Sequence, residues 1–280
     1  MGARRVIVAL AVCTLAGCGG AAAPRTSAPS PSPPPVLDRG TDVVVPSKVP
    51  IGPGDAPVPI LMYHVVAVAP PRTPYPELWV PPGRFAQDMR ALARAGYHAT
   101  TLDAVWRAWH GHGTMPRHPI VVSFDDGYQS QATVARRTLD RLAWPGVLNL
   151  VVKNLGIKGG LSRREVSAMI GDGWEVDAHT LTHVDLTAVD AVRLRHEVAG
   201  SRHWLRHAFG APVDFFCYPA GRYNPGVEAA VRAAGYAAAT TTNLAVATRR
   251  DDPYALPRVR VTPTMTGDDL VALLRHLRAA

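Results

Sequence analysis

From Val58 to Val261 the chain alternates short apolar runs, rich in β-branched and aromatic residues, with longer segments whose apolar residues recur every three or four positions. That alternation constrains the fold more than any other feature. A strand followed by a helix returns to the same sheet parallel to its predecessor, through a right-handed crossover. Strands are predicted at 58–66, 119–124, 146–152, 174–178, 213–218, 236–241 and 256–261. Between them, Phe85, Met89, Leu92 and Ala93 stand at i, i+4, i+7 and i+8 before Gly96, an amphipathic helix with its stop. A second helix is predicted within 187–209, with Leu194, Val198, Leu205 and Phe209 on one face. The expectation is a single α/β domain whose mostly parallel sheet of about seven strands is wide enough to curl into a barrel. Chemistry in such barrels collects where strands end and the following loops begin.

What precedes this domain differs in kind. Arg4 and Arg5 lead into an apolar run from Val6 to Leu15, closed by Leu15-Ala16-Gly17-Cys18. Ten apolar residues are too few to span a bilayer, so 1–17 reads as a signal peptide. Its ending resembles a bacterial lipoprotein signal, in which Cys18 is lipidated and becomes the N-terminus. Several acyl chains on one residue would hold the protein durably at the membrane, on its extracytoplasmic face. Residues 18–56 are dominated by Ala, Pro, Ser, Gly and Thr, with a proline-rich stretch from Pro29 to Pro35. Such a segment buries too little apolar surface to offset its ordering entropy and is expected to be a tether, leaving 57–280 as the folded domain.

The chain carries 30 Lys and Arg against 22 Asp and Glu, a net charge of +8; removing 1–17 deletes two arginines and leaves 28 against 22, or +6. The basic residues are scattered arginines rather than a focused patch, and the export signal points away from the cytoplasm, so nucleic acid is not expected as a partner. Anionic lipid and wall polymers are the better match. Cys13 and Cys18 lie in the first twenty residues, so Cys217 is the one cysteine of the folded body and no internal disulfide is possible.

Two strand ends hold candidate chemistry. After Ile120-Val121-Val122 comes Ser123-Phe124-Asp125-Asp126-Gly127, adjacent carboxylates with a glycine to turn the chain. After Trp174-Glu175-Val176-Asp177-Ala178 comes His179-Thr180-Leu181-Thr182-His183, two imidazoles four residues apart. On a turn of helix that spacing puts both rings on one face, as a metal requires of two ligands. One carboxylate would complete a His, His, Asp set with a position open for water. Taken singly, the Asp pair could equally be a turn or a helix cap, and the His pair a solvated helix face. Their occurrence at successive strand ends of one domain is what favours a site.

With these residues the chain resembles the polysaccharide deacetylase family, also known as carbohydrate esterase family 4 or the NodB-homology domain. SFDDG matches its first motif, HTLTH its second, and Phe216-Cys217-Tyr218-Pro219-Ala220-Gly221 looks like its third. The resemblance implies a distorted (β/α)7 barrel, a divalent metal, Zn2+ first and Co2+ or Ni2+ as alternatives, Asp125 as general base, and Asp126, His179 and His183 as metal ligands. The chemistry agrees: a resistant N-acetyl amide needs a polarised carbonyl and an acidified water, and a carboxylate beside the metal can take that water's proton. An N–H from the Tyr218–Gly221 turn is expected to hold the oxyanion, making Tyr218 and Ala220 substrate-side residues.

The sequence departs from the family pattern in two places. Cys217 stands where most members carry an arginine that orients the base, and no late strand carries the Leu-x-His that supplies the acid. Leu274-Arg275-His276 has those letters but belongs to an apparent helix over 268–278 with Leu270, Leu273, Leu274 and Leu277 as its buried stripe. His64, ending Ile60-Leu61-Met62-Tyr63-His64, is the better candidate acid, because the first and last strands of a closed barrel are neighbours. That opening, with Tyr-Pro-x-Gly in the third motif and Leu256-Pro257-Arg258-Val259-Arg260-Val261 near the end, looks like the subgroup of poly-β-1,6-N-acetylglucosamine deacetylases. Arg258 is the candidate for the absent orienting arginine. A buried, merely hydrogen-bonded imidazole is the competing account of His64.

Other signals carry less. His196-Glu197-Val198-Ala199-Gly200 opens like a zincin helix but lacks the second histidine. His110, His112 and His118 belong to a Gly/Pro-containing loop and are read as solvated, with a sugar contact at the rim as the other option. The six tryptophans are read mainly as core, and Cys217 as a small buried apolar residue. The absence of G-x-S-x-G argues against a serine esterase. The expected activity is metal-dependent N-deacetylation of N-acetylglucosamine residues in a cell-surface polysaccharide, by a monomer. An O-acetyl esterase or an inactive sugar-binding lipoprotein are the alternatives.

Overall fold

The structure is a computed structural model, describing residues 49–279. The signal peptide, Cys18 and tether residues 18–48 lie outside the described residues. The first strand, β1 (Ile60–Tyr63), leads through α1 (Pro82–Arg94) to a two-residue strand β2 (His98–Ala99) and α2 (Leu102–Trp109). Next come β3 (Pro119–Asp125), a π-helical turn at Gln131–Ala135 running into α3 (Arg136–Asp140), β4 (Val147–Leu150), α4 (Arg163–Gly171) and β5 (Glu175–Ala178). The chain finishes with α5 (Ala191–Phe209), β6 (Phe215–Cys217), α6 (Pro225–Ala233), β7 (Ala238–Thr240), β8 (Val259–Arg260) and α7 (Gly267–Ala279). Among these helices none is long and apolar enough to cross a membrane.

The main path of the sheet runs β7-β6-β5-β4-β3-β1-β8, all pairs parallel, with β2 beside the start of β3. The first and last strands are neighbours, Leu61 opposite Val259 and Met62 opposite Arg260. A parallel bridge from Thr240 to Leu256 brings β7 to the segment entering β8 and closes the ring, giving the distorted (β/α)7 barrel. Six of the eight strands fall inside the predicted segments and are shorter than them, while β3 overruns its segment by one residue, Asp125. The last is the most shortened, because Pro257 has no N–H to give the ladder and pairing resumes at Val259. The helix predicted over 187–209 starts at Ala191, where the Asp190 carboxylate accepts the Arg193 N–H at 2.8 Å, and ends at Gly210, whose φ of 66° supplies the left-handed stop.

Period-2 alternation sorts the strand residues into two cores. Leu61, Tyr63, Val122, Phe124, Leu148, Val176 and Phe216 face the surrounding helices in the larger cluster. Ile60, Val121, Val147, Phe215, Ala238 and Leu256 pack together inside the ring with Leu102, Val105 and Trp109 of α2. Helix α2 thus plugs the end of the barrel where the strands begin. Residues 50–56, assigned above to the tether, belong to this plug. Gly52 N–H bonds Met115 O, Arg117 N–H bonds Pro50 O, and the Trp109 indole N–H donates to Ala56 O at 3.0 Å. Apolar filling stops one layer above α2, so the opposite end, where the strands terminate, is where polar side chains enter the ring.

Candidate active site

Asp125 is the last residue of β3 and projects into the ring, 2% exposed. Arg258, 1% exposed, grips it from just before β8: Nη1 donates to Oδ1 at 2.8 Å and Nη2 to Oδ2 at 2.9 Å, while Nε donates to Thr241 O at 2.8 Å. The fork geometry of guanidinium on carboxylate fixes the plane of the acid. Asn149 of β4 adds an N–H to Oδ1 at 2.7 Å, and the Cys217 thiol of β6 approaches Oδ2 at 3.7 Å. From the end of the neighbouring strand β1, His64 Nε2 stands 3.7 Å from the same Oδ2. Below both, Gln131 donates to the carbonyls of Asp125 (2.7 Å) and His64 (3.0 Å), holding the two loops in register.

Burial would raise the Asp125 carboxyl, but the Arg258 guanidinium, with His64 and His179, holds it well below the usual carboxylate range. Burial lowers His64 from its ordinary value, against the pull of Asp125 and Asp126. Burial also pushes the Cys217 thiol well up, so it is a protonated donor to Asp125.

Asp126 follows with φ 73° and Gly127 with φ 82°, a sharp turn that sends the second carboxylate away from the first. Asp126 Oδ1 is buried with no hydrogen-bond partner among the described residues, 3.6 Å from His179 Nε2 and 3.5 Å from His183 Nε2. His179 Nδ1 is engaged with Cys217 O at 2.6 Å, which leaves Nε2 to face the aspartate. An orphaned carboxylate oxygen converged upon by two ring nitrogens, one ring fixed from behind, is the donor set a divalent cation fits. Asp125, His179 and Cys217 also lie within metal-ligand reach of one another. That set fits less well, since Arg258 occupies both Asp125 oxygens and the thiol keeps its proton.

The two imidazoles do not share a helix face. Residues 179–183 form a loop with Thr180 at φ 72° and His183 at φ 60°, and the ring centroids meet at 4.8 Å. Left-handed backbone at non-glycine residues is strained and must be held. Here Glu197 of α5 does so, accepting from the Thr182 N–H at 2.8 Å and its hydroxyl at 2.6 Å, while the His183 N–H donates to Thr180 Oγ1 at 2.8 Å. Glu197 is fully buried and paired with Arg193. The zincin-like His196-Glu197 therefore has a purpose unrelated to zincin chemistry: it braces the histidine loop.

The third motif needs correction at Tyr218. Its hydroxyl donates to Tyr254 O at 3.0 Å and its N–H to Thr240 O at 3.2 Å, so neither group faces the site. Pro219 has no N–H, and that of Gly221 bonds Tyr218 O. This leaves the Ala220 N–H, at a residue with φ 52°, free of a partner among the described residues. Cys217, expected as plain filling, lies against Asp125 instead. His276 is exposed on α7, and exposed His110, His112 and His118 belong to the plugged end, away from any substrate rim. Trp109, Trp144 and Trp174 are core, whereas Trp79 is half-buried beside the mouth. Asn149 and Gln131 were not singled out in the sequence, and Glu197 was noted only within the zincin-like stretch; an isolated polar residue in an apolar strand was the available signal for Asn149.

The polysaccharide deacetylase family model matches residues 112–239, a span that contains both aspartates, both histidines and Cys217. Over that span the chain is similar to the polysaccharide deacetylases. Members are generally metal-dependent. YxkH of Bacillus subtilis strain 168, assigned to the same deacetylases, is 27% identical over 223 residues, 80% of this chain and 78% of its own. A polysaccharide deacetylase from Bacillus cereus is 27% identical with a TM-score of 0.70, over 79% of this chain and 69% of that one. The deacetylase PplD of Streptococcus pyogenes shares the fold at a TM-score of 0.73 and 24% identity, over 79% and 99% of the two chains. His64 and Arg258 lie outside the matched span, so the contacts of Asp125 are completed by residues the family model does not reach.

Proposed function

We propose that this protein is a metal-dependent N-deacetylase of N-acetylglucosamine residues in a cell-surface polysaccharide, of poly-β-1,6-N-acetylglucosamine or peptidoglycan type, working from a lipid anchor at Cys18 outside the membrane. The observation that carries the reading is the orphaned Asp126 Oδ1 between two imidazole nitrogens, beside a carboxylate whose ionisation Arg258 enforces. Asp126, His179 and His183 would hold the cation, Zn2+ being the first candidate. When bound, it supplies Lewis-acid polarisation of the acetamide carbonyl and an acidified water.

The chain's own residues do the rest. Asp125, ionised throughout the physiological range, accepts the proton of the attacking water. Its clamp makes it a weak resting base, so it holds that proton only briefly. His64, facing the same oxygen, takes that proton over from Asp125 and as imidazolium delivers it to the departing amine, which returns both side chains to their resting states. Arg258 fixes the plane of Asp125 in place of the arginine absent at Cys217. The Ala220 N–H offers the developing oxyanion a donor.

Purified, metal-loaded protein is incubated with N-acetylglucosamine oligomers of β-1,6, β-1,4 and peptidoglycan type and with an O-acetylated glycan, and acetate is measured. Chelator-sensitive release from an N-acetylated oligomer is expected, reduced about 10²- to 10⁴-fold by Asp125→Asn and by His64→Ala. Release from the O-acetylated glycan alone would make the protein an esterase. Release indifferent to chelator and to Asp125→Asn overturns the reading, and near-normal turnover of His64→Ala removes that residue from the acid's role.

A further inference from the structure

Beside the metal triad lies a cavity of about 630 Å³, ample for a sugar residue. It adjoins the site through the chain that follows Asp126: Gly127 and Tyr128 form one of its walls. The other walls are mainly apolar, with Gln129, Ser130, Thr133 and Asn154 as their neutral polar side chains. Val68 and Ile157, 71% and 53% exposed, stand at the rim, and Trp79 lines the cavity half-buried. The charge pattern is one-sided. None of the described residues lining the cavity is acidic, and its one charged side chain is Lys158. Two carboxylates lie close by without lining it. Asp126 lies behind Tyr128, and Glu165, in an adjoining hollow of about 460 Å³, accepts the N–H and hydroxyl of Ser162 and has Arg164 for a neighbour.

We propose that this cavity is a subsite for the N-acetylhexosamine adjoining the residue that is deacetylated, and that it selects a neighbour whose acetyl group is still in place. The inference rests on the deacetylase reading above and names which stretches of polymer that site accepts. A pyranose presents apolar C–H faces to an indole, and the acetamido methyl suits an aliphatic pocket such as that of Val68 and Ile157. A deacetylated neighbour carries an ammonium group at neutral pH. Placing it here strips water from a cation, offers no anion in return and sets it near Lys158. Free amines already made on that side therefore repel the enzyme from the adjacent residue, and deacetylation is spaced along the polymer rather than continuous.

The test uses short N-acetylglucosamine oligomers, fully acetylated or with one defined neighbour, on either side of the target, replaced by glucosamine. Acetate release gives kcat/KM, and mass spectrometry locates the new amine. The expected result is at least a fivefold preference for the acetylated neighbour on one side, expressed mainly in KM. Ile157→Asp, which places a carboxylate at an exposed rim position, should cut that preference at least threefold. Thermal melting of this variant establishes that it is folded. A wild-type preference below fivefold on both sides overturns the subsite, as does a preference that a folded Ile157→Asp protein retains. No acetate from any oligomer would count against the deacetylase reading itself, whereas release with equal rates for both neighbours would sink the subsite alone.

Discussion

The barrel interior holds two sets of buried carboxylates that meet opposite fates. Asp125 at the mouth is kept ionised, far below its ordinary range, although burial favours the neutral acid. On β5, Glu175 is half-buried and Asp177, in register with Asp125 through Asn149, is buried; burial pushes Glu175 up to about 7, and burial together with the charge of Glu175 pushes Asp177 well above its usual range. Glu175 Oε2 accepts the Asp103 N–H at the start of α2 at 2.9 Å, while Glu175 Oε1 and Asp177 Oδ2 have no partner among the described residues. Asp125 has a guanidinium and the β5 pair has none. Burial is common to Asp125 and Asp177, so the counter-charge, not the depth, decides which carboxylate can serve as a base.

The strongest way to break this contrast is to make the Asp125 site resemble that of the β5 pair. Arg258→Met leaves Asp125 buried without its cation and should destabilise the fold by about 3 to 5 kcal/mol in chemical denaturation. Acetate release should fall with it by about 10²-fold or more, and Arg258→Lys should recover part of the stability without the bidentate clamp. A protein that lost neither would show that the ion pair is incidental.

A smaller effect should come from the metal triad. Zn2+ at a hundred times its dissociation constant adds about 2.7 kcal/mol of stability to a protein that binds it only when folded. His183→Ala should abolish that zinc-dependent rise in Tm while leaving the metal-free melting close to wild type, since this histidine lies at the open edge of the triad. An unchanged zinc response would remove His183 from the ligand set.

The smallest effect belongs to the β5 pair. A folded-state value near 7 against an unfolded value near 4.5 means that the folded protein holds the extra proton between those limits. The stabilisation it brings is complete at low pH and is lost as pH rises through about 7. Glu175→Gln, which cannot ionise, should flatten the fall in stability from pH 5 to pH 8 by about 1 to 2 kcal/mol. A steeper fall in the variant would mean that the pair has a hidden cationic partner.

Much of this was legible in the chain before its folding was known, and the exceptions share a cause. Apolar runs marked seven strands because hydrophobic content survives any change of detail; β2, two residues long, has too little pattern to be read. The aspartate pair stood out because it interrupts a buried strand beside a glycine. The histidine loop was misassigned to a helical turn because its conformation is imposed from outside, by Glu197 acting across fourteen intervening residues, and nothing in Thr180 or His183 themselves signals a positive φ. Tyr218 was misassigned for a related reason: motif position gives proximity, but Tyr254 and Thr240 decide where its polar groups go. Arg258 could be suspected as an arginine amid apolar neighbours, yet its partner was knowable only once β8 lay beside β1.

That last pairing has a kinetic consequence. Asn149 reaches Asp125 across 24 residues of sequence, whereas Arg258 reaches it across 133. Closing the longer loop costs about 1.5 kcal/mol more chain entropy than the shorter one. The histidines of the metal triad and the acid they face all precede that closure in the chain. During synthesis the growing polypeptide therefore presents Asp126, His179 and His183 before it possesses the guanidinium that keeps Asp125 charged. The ion pair at the mouth is the last of these contacts to form, made when the β8 segment is threaded into its seam.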